Sequence, residues 1–156
     1  MSKIKVGVVG VGNCANSLIS GIEWYKKYYK NNKVGNAPGL VNEILDKYKV
    51  TDIEIVAAFD VDENKVDALN KGESYIKHIP SIEVQARLNA GQFEGTSDWA
   101  RVRELDAVLI CVPTPLSKTK VPDVSHILDA VDAIAVRLRV GTLIVLESTT
   151  YPGTTF

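Results

Sequence analysis

A run of apolar, β-branched residues that breaks directly into small ones constrains this chain most: Lys3–Asn16 reads KIKVGVVGVGNCAN. Ile4, Val6, Val8 and Val9 suit a buried strand. Gly10-Val11-Gly12-Asn13-Cys14-Ala15 then fits G-x-G-x-x-G/A, with Ala in the last place. Each small residue has a physical task. Gly10 permits a tight strand-to-helix turn, and Gly12 lets backbone amides approach a pyrophosphate with no Cβ between. Ala15 lets the following helix pack closely on the strand. The free N–H groups of that helix, and the positive end of its dipole, then face the phosphates. Alone the pattern is weak. Between a strand and a helix-length segment it predicts a dinucleotide site, against the plainer alternative of a tight turn without a ligand.

The 156 residues form one domain, long enough to bury a core, with 46% hydrophobic and 24% charged residues. A net charge of −1 gives no electrostatic reason to expect nucleic acid or an anionic membrane as partner. No apolar run approaches the roughly 20 residues of a membrane span, and the N-terminus lacks the apolar core of a signal peptide. A cytoplasmic protein is the expectation. Cys14 and Cys111 are too widely spaced from the two histidines for a zinc site, and both are read as reduced, packed thiols. Cys14 is taken as a small residue tolerated beside phosphates rather than as an activated thiol.

Leu18, Ile22, Tyr25 and Tyr29 recur at helical spacing and predict a helix from about Asn13 to Lys30, with Gly21 packed closely on a neighbour. Asn31–Gly39 is a loop by composition, and Leu40, Val41, Ile44, Leu45 and Tyr48 suggest a short amphipathic helix. The second strand is Ile53–Phe59, ending in Asp60. Asp62 is its rival for a ligand role, but suits the N-cap of a helix over Glu63–Asn70, with Val66 and Leu69 inward. Gly72–Pro80 connects to a helical Ile82–Asn89, then a third strand over Gln92–Thr96 and a helical turn or two over Asp98–Glu104. Ala107–Val112 is an unbroken apolar run, as in a central parallel strand covered on both faces. Pro113-Thr114-Pro115 must leave the sheet. Asp123 or Ser125 caps a helix to Arg139 whose buried face is Ile127, Val131, Ile134 and Leu138; Gly141 ends it, and Leu143–Leu146 is a fifth strand.

This alternation predicts a Rossmann-like, doubly wound parallel sheet of five strands in the order 3-2-1-4-5. Ligands of such sheets lie past the carboxyl ends of the strands where the order reverses. Gly10–Asn13, Asp60, Thr114 and Thr149 all fall at strand ends on that side. An acidic group closing the second strand accepts hydrogen bonds from the adenosine ribose and repels a 2′-phosphate, so Asp60 argues for NAD over NADP. Its usual distance from the glycines is about 20 residues. Here Asp60 lies more than twice as far along, so residues 31–51 are an insertion between first helix and second strand.

From Ile4 to about Asp60 the chain resembles the bacterial and archaeal inositol-phosphate synthases, through VGVVGVGNCANSLISGIEWYKK, the insert holding PGL, and DIEIVAAFDVD. From about Asp60 to Phe156 it looks like a nucleotide-sugar 6-dehydrogenase of the UDP-N-acetylglucosamine or UDP-glucose kind. The carriers there are FDVDENKVDALNKGESYIKHIP, DAVLICVPTPLSK, PDVSHILDAVDAIA and LIVLESTTYPGTT. The two resemblances meet near residues 59–62 and imply an engineered chimera, with a natural domain of another family as the alternative. Both families use NAD.

By resemblance, Gly10, Val11, Gly12, Asn13 and Cys14 would surround the pyrophosphate and Asp60 would bind ribose, with Lys65 near the adenosine. Thr114 would approach the nicotinamide-side ribose and Thr149 the nicotinamide. The dehydrogenases oxidise their sugar through a cysteine, a lysine, an asparagine and an aspartate in a following domain, and the synthases also carry their substrate lysines outside this region. Cys111, read as lying within a strand, is no match for that nucleophile, and His78 and His126 are read as structural. The expectation is an NAD(H)-binding domain without catalysis of its own, with no metal. The alternatives are a folded scaffold that binds no cofactor and an N-terminal fragment of a nucleotide-sugar 6-dehydrogenase. Leu143–Leu146, apolar and at a sheet edge, suggests a weak homodimer.

Overall fold

A computed structural model describes residues 3–35, 37–60, 62–74, 80–91, 94–117 and 121–150. The apolar N-terminal run forms β1 (Ile4–Val9), and the glycine turn releases the chain into α1 (Asn13–Asn31). A two-stranded hairpin follows, β2 (Ile44–Leu45) and β3 (Tyr48–Lys49), then a 3-10 turn over Val50–Asp52 leading into β4 (Ile53–Phe59). Helices α2 (Glu63–Asn70) and α3 (Ser81–Asn89) precede β5 (Gly95–Thr96). After a 3-10 segment at Trp99–Glu104 come β6 (Ala107–Ile110), α4 (Ser125–Ala135) and β7 (Leu143–Leu146).

The main sheet has the order β5-β4-β1-β6-β7 and all its pairs are parallel, which is the predicted 3-2-1-4-5 once the small hairpin is set apart. Two apolar layers flank it. On one face Ala15, Ile19 and Ile22 of α1, Leu69 of α2 and Val84 of α3 cover Val6, Val8 and Ile55. On the other, Ala130 and Ile134 of α4 join Val102 and Leu105 over Val9, Phe59, Val108 and Ile110. The register of β1 on β4 shifts between Val6 and Gly7, so that Val56 is an extra residue on β4. Its carbonyl accepts a bond from Arg101 instead (3.2 Å). Beyond the shift Val9 pairs with Phe59, and Asp60 emerges beside the glycine turn.

Several expectations need correction. Residues 40–48 are not helical. Asp46 adopts φ 55°, which closes a two-residue hairpin turn, and Glu43 accepts the amides of Gly35 (2.9 Å) and Ala37 (2.7 Å) and the Tyr29 hydroxyl (2.7 Å). That anchoring outweighs a helical stripe with nothing to bury against: Val41 is 98% exposed. Gly21 faces open space rather than a neighbour. Helix α4 ends at Ala135, not Arg139, because Arg139 and Thr142 bond the Leu105 carbonyl and turn the chain into β7. Leu138, past the helix end, is exposed, and so is Val131, which lies off the buried face that Ile127, Ala130 and Ile134 form. Strand β6 stops at Ile110, so Cys111 follows it, and Cys14 is exposed rather than packed. Of the predicted third strand, Gly95–Thr96 is seen; residues 92 and 93, like His78, lie outside the described residues. Among the described residues no helix is long and apolar enough to cross a membrane, and no cluster of acidic, histidine or cysteine side chains could hold a metal ion.

Candidate functional site

The turn after β1 builds one wall of a cleft at the carboxyl ends of the strands. Gly10 has φ 87° and donates its N–H to the Phe59 carbonyl (3.0 Å). A Cβ there would stand 2.9 Å from the Cys111 carbonyl oxygen, so glycine is required on both counts. Gly12 differs: a Cβ would meet nothing within 4 Å, because that side opens on the cleft. Gly12 is the N-cap of α1, and among the described residues no side chain caps the helix. Its first amides are thus left for a ligand or water. Ala15, 1% exposed, lets the helix lie close on the sheet.

Asp60 closes β4 as a charged group only 8% exposed. Its Oδ1 accepts the Asp62 N–H at 3.0 Å and lies 3.8 Å from the Lys65 ammonium. Asp62 turns its own carboxylate to the Asn64 amide (3.0 Å), which is the N-cap role read from the sequence. Across the cleft the Thr114 hydroxyl donates to the Thr149 carbonyl (2.8 Å), and the Ser148 hydroxyl to the Val112 carbonyl (2.7 Å). These bonds tie the loop after β6 to the loop after β7. The Cys111 thiol is pushed up to about 11, mainly by burial and then by the neighbouring Cys14 and Glu147.

All nine residues singled out from the sequence, Gly10, Val11, Gly12, Asn13, Cys14, Asp60, Lys65, Thr114 and Thr149, line this single cavity of about 380 Å³. Glu147, Ser148, Cys111, Val112 and Pro113 line it too and were not singled out. Glu147 and Pro113 directly follow apolar runs read as strands, so their signal was available; Cys111 and Val112 were hidden because they were read as lying inside one. A smaller hollow of about 150 Å³ shares Gly10, Asp60, Lys65, Val112 and Pro113 with it, and extends to His126, Asp129 and Ala130 of α4. His126 therefore stands at a cleft margin, exposed, rather than in the framework. The fit to a dinucleotide rests on three local facts: an uncapped helix start, an open side at Gly12, and a carboxylate at the adjacent strand end.

A parallel sheet reversing its order at such a cleft defines a dinucleotide-binding domain of the Rossmann kind. The chain belongs to the UDP-glucose/GDP-mannose dehydrogenase family, as its NAD binding domain: the family model matches residues 40–156. Among solved structures, NDP-N-acetyl-D-galactosaminuronic acid dehydrogenase from Methanosarcina mazei superposes with a TM-score of 0.67 at 28% identity, over 99% of this chain and 29% of that one. The similarly named enzyme of Ralstonia nicotianae is 38% identical over 102 residues, 64% of this chain and 23% of its own. Inositol-3-phosphate synthase of Corynebacterium glutamicum is 51% identical over 65 residues, 42% of this chain and 17% of its own. Two kinds of relative therefore coexist in one domain, as the sequence motifs indicated. The chain spans about a fifth of the length of these curated relatives.

Proposed function

We propose that the cleft holds NAD(H) with its pyrophosphate on the amides of Val11–Cys14, its adenosine ribose on Asp60 beside Lys65, and its nicotinamide half near Thr114 and Thr149. The observation that carries this reading is the convergence of the glycine turn, Asp60 and both threonines on one cavity at the strand ends. NAD bound there would bring hydride-transfer chemistry; this chain's residues bind and orient it. We read them as supplying no catalytic set of their own; the thiol of Cys111, half-buried in the cleft, is pushed up to about 11, mainly by burial. A cytoplasmic location accords with this role. We further read the chain as an engineered chimera joined near residues 59–62. The family match from residue 40 and the 65-residue likeness to the synthase support two parents. A natural genome encoding the same join would end the engineered reading.

Calorimetric titration tests the site. NAD should bind with modest affinity and NADP more weakly, because Asp60 repels a 2′-phosphate. Asp60→Ala should weaken NAD about tenfold, on the order of 1.5 kcal/mol for a lost hydrogen bond to a charged group. Unchanged affinity would remove Asp60 from the site. No heat and no thermal shift at millimolar NAD would leave a folded scaffold without a cofactor.

A further inference from the structure

Two thiols share the wall of the cleft, one in each of the two stretches that resemble different families. Cys14 lies in the synthase-like stretch, exposed in the first turn of α1. Cys111 lies in the dehydrogenase-like stretch, half-buried at the end of β6. Its N–H donates to the Val9 carbonyl (2.8 Å), which fixes its backbone beside the glycine turn. Its side chain packs against the apolar layer on the face of the sheet that α1, the helix carrying Cys14, helps to cover. Both residues line the same cavity, and the Cys111 thiol is raised first by burial and then by its neighbour Cys14.

We propose that Cys14 and Cys111 form a reversible dithiol–disulfide site that takes a peroxide as oxidant, and that the disulfide closes the cleft to a dinucleotide. The inference rests on the reading that this cleft holds NAD(H). Exposure makes Cys14 the first to react. Its thiolate attacks one peroxide oxygen, the O–O bond breaks, and hydroxide leaves as water after taking up a proton, with Cys14 oxidised to a sulfenic acid. Cys111 then gives up its proton and its sulfur displaces hydroxide from the Cys14 sulfur. The S–O bond breaks as the S–S bond forms, and a second water departs. Two thiols are oxidised to one disulfide while hydrogen peroxide is reduced to two waters. The bridge ties the first turn of α1 to the end of β6, across the amides proposed for the pyrophosphate. By linkage, bound NAD opposes formation of the bridge as strongly as the bridge opposes NAD.

The test begins with an NAD titration of the fully reduced protein. Hydrogen peroxide is then added, the product is peptide-mapped, and NAD affinity is measured again before and after dithiothreitol. A linked Cys14–Cys111 peptide from monomeric protein, an affinity loss of about tenfold or more, and recovery with dithiothreitol are expected. Saturating NAD should slow the appearance of the linked peptide. In Cys111→Ser, peroxide should change affinity much less than in the parent; an equal loss there would assign the effect to oxidised Cys14 alone and overturn the bridge. Failure to form the linked peptide, pairing between two chains, or full affinity in the linked form would each overturn the inference while leaving the NAD reading intact. Absence of binding to the reduced protein would instead sink the cofactor reading, and the gating with it.

Discussion

Strands β1 and β7 are both short, apolar and parallel, yet they occupy opposite environments. In β1, Val6, Val8 and Val9 are at most 4% exposed, with β4 on one side, β6 on the other and helices on both faces. In β7, Leu143 is 60% exposed and Ile144 37%, with β6 as the sole strand partner among the described residues. Nearby Leu128, Val131, Val136, Leu138 and Val140 are exposed as well. Apolar composition therefore selects a strand, while its place in the sheet decides whether that composition is buried. The cleft stands where the better-packed centre meets the looser margin.

The largest test of this contrast is stability. Phe59 is fully buried at the end of β4 and stacks on Trp99 with ring centroids 5.1 Å apart. Phe59→Ala should lower unfolding free energy by about 3–5 kcal/mol. Leu143→Ala should cost less than about 0.5 kcal/mol, as at an exposed position. Equal shifts in denaturant midpoint would break the comparison.

The two glycines of the turn sharpen it at the cleft. Gly10→Ala forces a side chain into positive φ and against the Cys111 carbonyl, and should cost about 1–3 kcal/mol of stability. Gly12→Ala has free space for its Cβ and should leave thermal stability nearly unchanged while weakening NAD. A Gly12→Ala protein that binds NAD as well as the parent would take the phosphates away from this turn.

A smaller effect concerns the exposed margin. We expect a weak homodimer through β7 or the helix beside it, and Leu143→Lys should shift sedimentation toward monomer. A parent protein already monomeric at high concentration would refute the dimer. The smallest effect is local. Glu43 is held below the usual carboxylate range, first by the Ala37 N–H and then by the Tyr29 hydroxyl. Its anchoring of the insert is thus present at neutral pH and is lost as pH falls through that lowered value. Protection of the Gly35 and Ala37 amides, measured against their intrinsic exchange rates, should fall there, and in Glu43→Ala should be lost at every pH. Protection that persists in acid would remove Glu43 as the anchor.

The central architecture was legible because β1, β4 and β6 are long or unbroken apolar runs, closed by Gly10, by Asp60 and, two residues past the end of β6, by Pro113. The grouping of Gly10, Asp60, Thr114 and Thr149 was legible for the same reason, since strand ends in a parallel sheet share one rim. The hairpin was not. Leu40, Val41, Ile44, Leu45 and Tyr48 fit a helical period, and only the distant hydrogen bonds of Glu43 and the left-handed Asp46 decide against it. The end of α4 was hidden likewise, because Arg139 reaches back to Leu105 and Asp106, over thirty positions earlier. The exposure of Cys14 turned on how the first turn of α1 faces the cleft, which spacing alone does not encode.

Because α1 runs back from the cleft, its far end and the insert docked there, by Tyr25 on the Pro38 carbonyl and Tyr29 on Glu43, lie at the opposite pole of the sheet from the cleft. A fluorophore, tether or grafted peptide attached at the solvent-bathed Val41 would hang from the floor of the molecule. The protein could be held on a solid support by that point with its mouth still open to the medium.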